Sequence, residues 1–197
     1  ALGQAMERLL AYFNQARIDY ISSDGIFDGI KGMYTESDVP HPVTLYGRNL
    51  ALWEDLVEKH VKNFCIIRPS YMYGFVGGQL DARLSEARTQ LLEGSRVTRF
   101  TDMYKSPLSY KQAAEIITAL SLETYIGTVH ISGKRMSVYD FTREGMETLG
   151  IPTTELYGVT IPSPQPAGML VDTSLDASLM LRLTSIAPQS INESLQK

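Results

Sequence analysis

The sequence has a single cysteine, Cys65, in 197 residues. No internal disulfide can form, and a metal site built on several thiolates is excluded. Its three histidines, His41, His60 and His130, are scattered, without the i, i+4 spacing or carboxylate clustering that ligation favours. It also lacks a basic block. Eighteen Lys+Arg against 22 Asp+Glu leave a net charge of −4, so no field recruits a phosphate backbone or an anionic membrane, which weighs against a nucleic-acid binder. No apolar run approaches the roughly 18 residues of a membrane helix, and no basic-then-apolar leader opens the chain. Also missing is any Gly-x-x-Gly-x-x-Gly turn; Gly74, Gly77 and Gly78 follow a strand pattern with a different spacing. Apolar residues at 44% and charged residues at 20% are ordinary for a globular chain and exclude disorder. The expectation is one reduced, soluble, cytoplasmic domain with no membrane or nucleic-acid partner.

Strand and helix patterns alternate along the chain. Leu2, Ala5, Met6, Leu9, Leu10 and Phe13 recur at helical spacing with no N-cap before them, as if the chain began inside a helix. Ile18 to Ser22 reads as a buried strand running into a Ser-Ser-Asp-Gly turn. After a polar loop from Asp28 to Val43, a helical stripe of Leu45, Tyr46, Leu50, Trp53, Leu56, Val57 and Val61 follows. Phe64 to Ile67 and Thr128 to Ile131 read as strands, and Val97 to Phe100 as a shorter one. Leu80, Leu84, Ala87 and Leu91 mark another helix, with Gly94 placed as its C′ residue. Ser109 with Gln112, Ser137 with Asp140 and Ser190 with Glu193 are N-terminal cap signals. The proline-rich stretch from Ile151 to Met169 reads as loop, and a short helix is expected through Leu175 and Leu179. This alternation implies a parallel sheet covered on both faces. About four strands are visible against around six in open sheets of this kind, so the Ile18–Ser22 strand is expected to have an unpaired edge.

Several short motifs, in order, carry a resemblance. They are Ser22-Ser23-Asp24-x-x-Phe27-Asp28-Gly29, Tyr34-x-Glu36-x-Asp38-x-Pro40-x-Pro42, Tyr46-Gly47-Arg48 and Arg68-Pro69-Ser70-Tyr71-Met72-Tyr73-Gly74. With Ile131-Ser132-Gly133 and Val171 to Asp176, they resemble the extended short-chain dehydrogenase/reductase superfamily, in its dTDP-4-dehydrorhamnose reductase branch. That resemblance implies an α/β, Rossmann-type doubly wound parallel sheet, lacking its N-terminal strands, with a small C-terminal substrate-binding lobe. The whole of 1–197 would be one domain, the carboxyl-terminal part of such a reductase, with the lobe drawn mainly from about 75–110 and 133–197. On the order of one βαβαβ unit is expected upstream of Ala1.

The resemblance also implies roles. Tyr46 would be the proton donor to the reduced carbonyl, Ser23 the residue that hydrogen-bonds substrate oxygen, and Asp24 its catalytic neighbour. Tyr46, Arg68, Pro69 and Ser70 would meet NADP or NAD, and Phe27 and Tyr71 would line the sugar site. The partner would be a nucleotide-linked 4-keto sugar, reduced or epimerised; a homodimer or a partner protein is the expected assembly. Taken as residues alone, Ser23 and Asp24 equally suit a turn, Arg68 an ion pair, and Tyr71 and Tyr73 packing. A phenol is a poor proton carrier at neutral pH unless a nearby cation favours its phenolate. Residues four apart share a helix face, so that cation belongs at position 50. Position 50 is Leu50, which offers neither charge nor donor. The alternative is therefore a non-catalytic homologue that binds a nucleotide sugar or regulates a partner protein. The same branch includes the regulatory subunit of methionine adenosyltransferase.

Overall fold

Phe64–Pro69 carries apolar side chains on both alternating faces until Arg68, and it forms the middle strand of a three-stranded parallel sheet. The computed structural model describes residues 2–12 and 16–196; Phe13 of the first helical stripe lies outside them. Ile18–Ile21 pairs on one side of the middle strand, with Ile18 opposite Phe64, and Gly127–Ile131 on the other, with Cys65 opposite Gly127. The helices are α1 (Leu2–Tyr12), α2 (Leu45–His60), α3 (Ala82–Leu92), α4 (Tyr110–Leu122), α5 (Val138–Thr148), α6 (Ser178–Thr184) and α7 (Ile191–Leu195).

Strand side chains alternate between faces, and the packing follows that rule. Ile66 meets Leu10 of α1 and Leu56 and Val57 of α2. Cys65 and Ile67 point the other way, against Ala113, Ile116 and Leu120 of α4 and Met180 of α6. Each such fully buried side chain contributes roughly 1.5–3 kcal/mol at most, so helices on both faces hold the sheet between them. This is the doubly wound Rossmann-type α/β arrangement. Burial pushes the Cys65 thiol up to about 11, which leaves it an unreactive core residue.

A second apolar cluster lies apart from the sheet. Leu84, Ala87 and Leu91 of α3, Phe141 and Met146 of α5 and Ile191 and Leu195 of α7 enclose it, with Val97 and Leu156 from a small parallel strand pair. Side chains of Thr44, Asp81, Ser109, Ser137 and Ser190 each cap a helix, and Ser190 with Glu193 forms a full capping box. Gly94 and Gly150 follow α3 and α5 with φ of +71° and +70°, the left-handed stop that a Cβ would disfavour.

Four expectations need correction. The α2 stripe is interrupted: Leu45 and Tyr46 are exposed, Leu50 packs on Ile26, Phe27, Tyr34 and Leu175, and Trp53 packs with the α1 cluster. Leu80 precedes its helix and pairs with Phe75 as strand, because Asp81 caps α3 one residue later. Val97–Phe100 is outside the main sheet; it pairs with Leu156–Val159, a strand inside the segment expected to be loop. Prolines on both sides concealed that strand, and it pairs on one edge only. Finally, Leu175 is extended rather than helical and bridges Tyr34 in parallel, so α6 begins at Ser178. Ile18–Ile21 has one hydrogen-bonded neighbour among the described residues, and Ile21 at its end is 41% exposed.

Candidate active site

The Ile18–Ile21 and Phe64–Pro69 strands end side by side, and the residues just beyond them form the floor of a cleft. Ser22 donates its backbone N–H to Ile67 O at 2.8 Å, and Ser70 donates its own to Ile131 O at 3.1 Å, which fixes both turns to the sheet. Ser23 caps a single 3-10 turn, Asp24–Ile26: its Oγ accepts from Gly25 N at 3.1 Å and donates to Asp24 Oδ1 at 3.1 Å. The turn-forming reading of Ser23 therefore holds alongside any role in chemistry.

Asp24 is buried, yet its carboxylate is well supplied with donors. Oδ2 accepts from Thr173 Oγ1 at 2.7 Å, from Lys105 Nζ at 3.1 Å and, at 3.4 Å, from Ser70 Oγ. Lys105 Nζ also donates to Thr173 Oγ1. Ser70 Oγ is itself committed, accepting from Ser106 N at 3.1 Å. Asp24 thus organises the floor as a fixed anion rather than offering a free lone pair to a ligand.

Tyr46 stands on the rim in the first turn of α2, 62% exposed. Two glycines bring it there. A Cβ on Gly47 would overlap the Gly25 carbonyl and meet Pro42 Cβ at 3.0 Å, so only glycine lets α2 approach the 24–26 turn this closely. A Cβ on Gly25 would lie 3.4 Å from Tyr46 Cε1 and 3.5 Å from Ser23 Oγ. Any side chain at Gly25 would fill the space between the Ser23 hydroxyl and the Tyr46 ring.

The cleft, about 570 Å³, brings together Ser23, Asp24, Tyr46, Pro69, Ser70 and Tyr71. Tyr71 donates its hydroxyl to Asp81 Oδ1 at 2.7 Å, and Arg83 lies over its ring at 4.6 Å. Burial, reinforced by the Asp81 carboxylate, pushes the Tyr71 phenol far above its ordinary value, and its hydroxyl is already committed to Asp81. Beyond Tyr71 the cleft adjoins a second cavity of about 340 Å³; Tyr71, Arg83, Lys105 and Leu170 line both. Arg99 is a third cation on the cavity wall.

Two residues expected at the site are directed elsewhere. Arg68 is buried beneath the floor, its guanidinium paired to Glu54 at 3.0 and 2.6 Å. Its Nη1 lies 3.3 Å from His130 Nε2, and His130 Nδ1 lies 3.0 Å from the Tyr34 carbonyl. A carbonyl only accepts, so Nδ1 carries the proton and Nε2 accepts from Arg68. Burial, then the Arg68 charge, hold the imidazole down at about 4 and keep it neutral. Phe27 is fully buried, stacked on Tyr34 with centroids 4.1 Å apart and edge-on to His130. The residues that sequence reasoning missed are Lys105, Thr173, Arg83 and Arg99. None stands in a pattern that names it; Thr173 lies within a recognised segment, but nothing in that segment marks its hydroxyl.

The site can be tested against a nicotinamide dinucleotide. Gly25, Tyr46 and Pro69 line one cleft of about 570 Å³, room enough for the flat reacting end of such a group. A cradle for its pyrophosphate is not found among the described residues. The one helix preceded by paired glycines, α3 after Gly77 and Gly78, is capped by Asp81, whose carboxylate takes the N–H groups of Arg83 and Leu84. An anion there repels phosphate instead of binding it. The described residues also bring no group of three or more His, Cys, Asp and Glu side chains together for a metal ion. No helix among them is long and apolar enough to cross a membrane.

The spore coat polysaccharide biosynthesis protein SpsK of Bacillus subtilis is 33% identical over 159 residues, covering 76% of this chain and 54% of that protein. Methionine adenosyltransferase 2 subunit beta of Danio rerio is 26% identical over 156 residues, covering 76% of this chain and 47% of that subunit. The chain thus spans about half the length of these relatives. Among solved structures, dTDP-4-dehydrorhamnose reductase from Bacillus anthracis, in complex with NADP, superposes with a TM-score of 0.81 at 21% identity. It covers 95% of this chain and 66% of that one, a likeness of fold. The family profile described as the RmlD substrate binding domain matches residues 7–197. The chain belongs to that family, within the dTDP-4-dehydrorhamnose reductase branch of the extended short-chain dehydrogenases/reductases.

Proposed function

We propose that this chain is the carboxyl-terminal, substrate-binding part of an NAD(P)-dependent reductase or related epimerase acting on a nucleotide-linked 4-keto sugar. The observation that carries this reading is the convergence of Ser23, Asp24, Tyr46, Ser70 and Tyr71, from three separate stretches of chain, on one cleft that adjoins a mainly apolar cavity with Arg83, Arg99 and Lys105 on its wall. The sugar takes the cleft. The diphosphate lies toward Arg83 and Arg99, neither of which is in an ion pair among the described residues.

A ketone that accepts hydride leaves an alkoxide, and this chain supplies the donors for it. Tyr46 gives its hydroxyl proton to that oxygen. The Ser23 hydroxyl, whose hydrogen now rests on Asp24, can turn toward the same oxygen, because a hydroxyl rotates to suit its partner. Bound nicotinamide would supply the hydride beside the Tyr46 ring and Pro69. The lobe around α3, α5 and α7, drawn mainly from about 75–110 and 133–197, holds the nucleotide side of the ligand. Cytoplasmic location and a homodimer fit this reading.

A second reading has its own support. Leu50 packs into the Ile26–Phe27–Tyr34–Leu175 cluster, so the cation expected one turn after Tyr46 is replaced by an apolar contact. That favours a non-catalytic homologue that binds a nucleotide sugar or regulates a partner protein, and one relative bears the name of a beta subunit, methionine adenosyltransferase 2 subunit beta. Oxidation of NADPH or NADH by the natural full-length protein with a dTDP-4-keto sugar separates the two. Turnover by the wild type, lost in Tyr46→Phe, supports the reductase and sinks the second reading. No wild-type turnover, with turnover gained in Leu50→Lys, supports the non-catalytic homologue.

A further inference from the structure

We propose that Lys105 is the ammonium that grips the sugar of the ligand where the cleft opens into the cavity, and that it sets the preference for sugar-linked over free nucleotide. The proposal rests on the nucleotide-sugar reading above and goes beyond it in naming a recognition group.

Lys105 is one of the few residues that line both spaces, so a ligand reaching from one to the other passes its side chain. An ammonium has three hydrogens to donate. One goes to Asp24 Oδ2 at 3.1 Å and one to Thr173 Oγ1, which leaves a third for a ligand oxygen. The side chain is 21% exposed, enough to present that hydrogen to the cleft.

Charge decides which oxygen it takes. Asp24 neutralises Lys105 locally, and a balanced pair suits an uncharged hydroxyl or carbonyl better than a diphosphate. The other cation common to both spaces, Arg83, is laid against the Tyr71 ring, while Arg99 lines the cavity and not the cleft. The ammonium is also held in place before any ligand arrives. Tyr104–Lys105 pairs with Met136–Ser137 on one side. On the other, Tyr104 donates to Val171 O at 2.7 Å, and Thr173 donates to Tyr104 O at 3.3 Å. Little ordering cost is left to the binding step.

The test is titration calorimetry of the natural full-length protein with dTDP-glucose and with dTDP, on wild type, Lys105→Met and Lys105→Arg. A charge-assisted hydrogen bond lost from the sugar should weaken dTDP-glucose about tenfold in Lys105→Met. Affinity for dTDP should stay within about twofold, and Lys105→Arg should recover part of the loss. Should Lys105→Met fail to fold with Asp24 left unpaired, the Asp24→Asn/Lys105→Met double variant, with an uncharged floor, carries the same comparison. Equal weakening of both ligands, or no change in either, overturns the role of Lys105 while wild-type binding keeps the nucleotide-sugar reading. A wild type that binds neither ligand overturns both.

Discussion

Glu54 on α2 and Arg68 on the middle strand meet fork to fork, with two nitrogen–oxygen contacts of 3.0 and 2.6 Å and side chains only 4% and 5% exposed. The pair joins the helix that carries Tyr46 to the strand that runs into Ser70. Removing one partner leaves a buried, uncompensated charge, which costs about 3–5 kcal/mol. Denaturant midpoints should therefore drop sharply for Glu54→Leu and for Arg68→Met, and far less for the double variant. Additive single losses would mean that the two charges do not act as a pair.

Stability should fall on the acid side of neutrality through His130. Its folded value of about 4 lies below the ordinary 6.5, so between these values the unfolded chain binds a proton that the folded chain refuses. The folded state is fully favoured above about 6.5, loses ground as pH drops, and stops losing from this group near 4. At 1.36 kcal/mol per unit the total is about 3 kcal/mol. Urea midpoints from pH 7.5 to 4.5 should slope less steeply in His130→Gln than in wild type. Equal slopes would remove His130 from the account.

Gly47→Ala sets helix propensity against packing. In a helix interior alanine is favoured by about 1 kcal/mol, but here its Cβ would overlap the Gly25 backbone carbonyl. Overpacking against backbone costs typically about 1–3 kcal/mol, so the net effect should be a loss of stability. A raised melting temperature would contradict the close approach of α2 to the 24–26 turn.

Tyr46→Phe should separate function from folding. The ring is mostly exposed and its hydroxyl makes no contribution to the core, so the thermal midpoint should hardly move. If the reductase reading is right, turnover should fall about 10²–10⁴-fold, the usual worth of a positioned proton donor. Unchanged turnover would move the proton donation elsewhere.

The middle strand of the main sheet was legible because it is buried on both faces and Phe64 to Ile67 reads as an unbroken apolar run. Caps at Ser109, Ser137 and Ser190 were equally visible, since they are local. The Leu156–Val159 strand was not, because its partner is some sixty residues away and prolines surround it. At the site, Ser23, Asp24, Tyr46 and Ser70 were found as members of motifs, and the cleft gathers them. Arg68 and Phe27 belong to the same motifs but face the layer beneath, a direction that spacing along the chain cannot give. Lys105 and Thr173 escaped for the opposite reason. Their importance comes from meeting Asp24, across 81 and 149 positions of sequence.

Those long separations bear on when the cleft floor is completed as the chain is made. Asp24 and Ser70 are in place once the first two strands pair, but the carboxylate lacks two of its donors until Lys105 and then Thr173 have been synthesised. Contacts this distant close late, because loop entropy must be overcome before they are rewarded. A chain halted on the ribosome before residue 173 would lack the Thr173 donor and leave the floor unfinished. Sheet formation and ligand competence should therefore appear as two events in time.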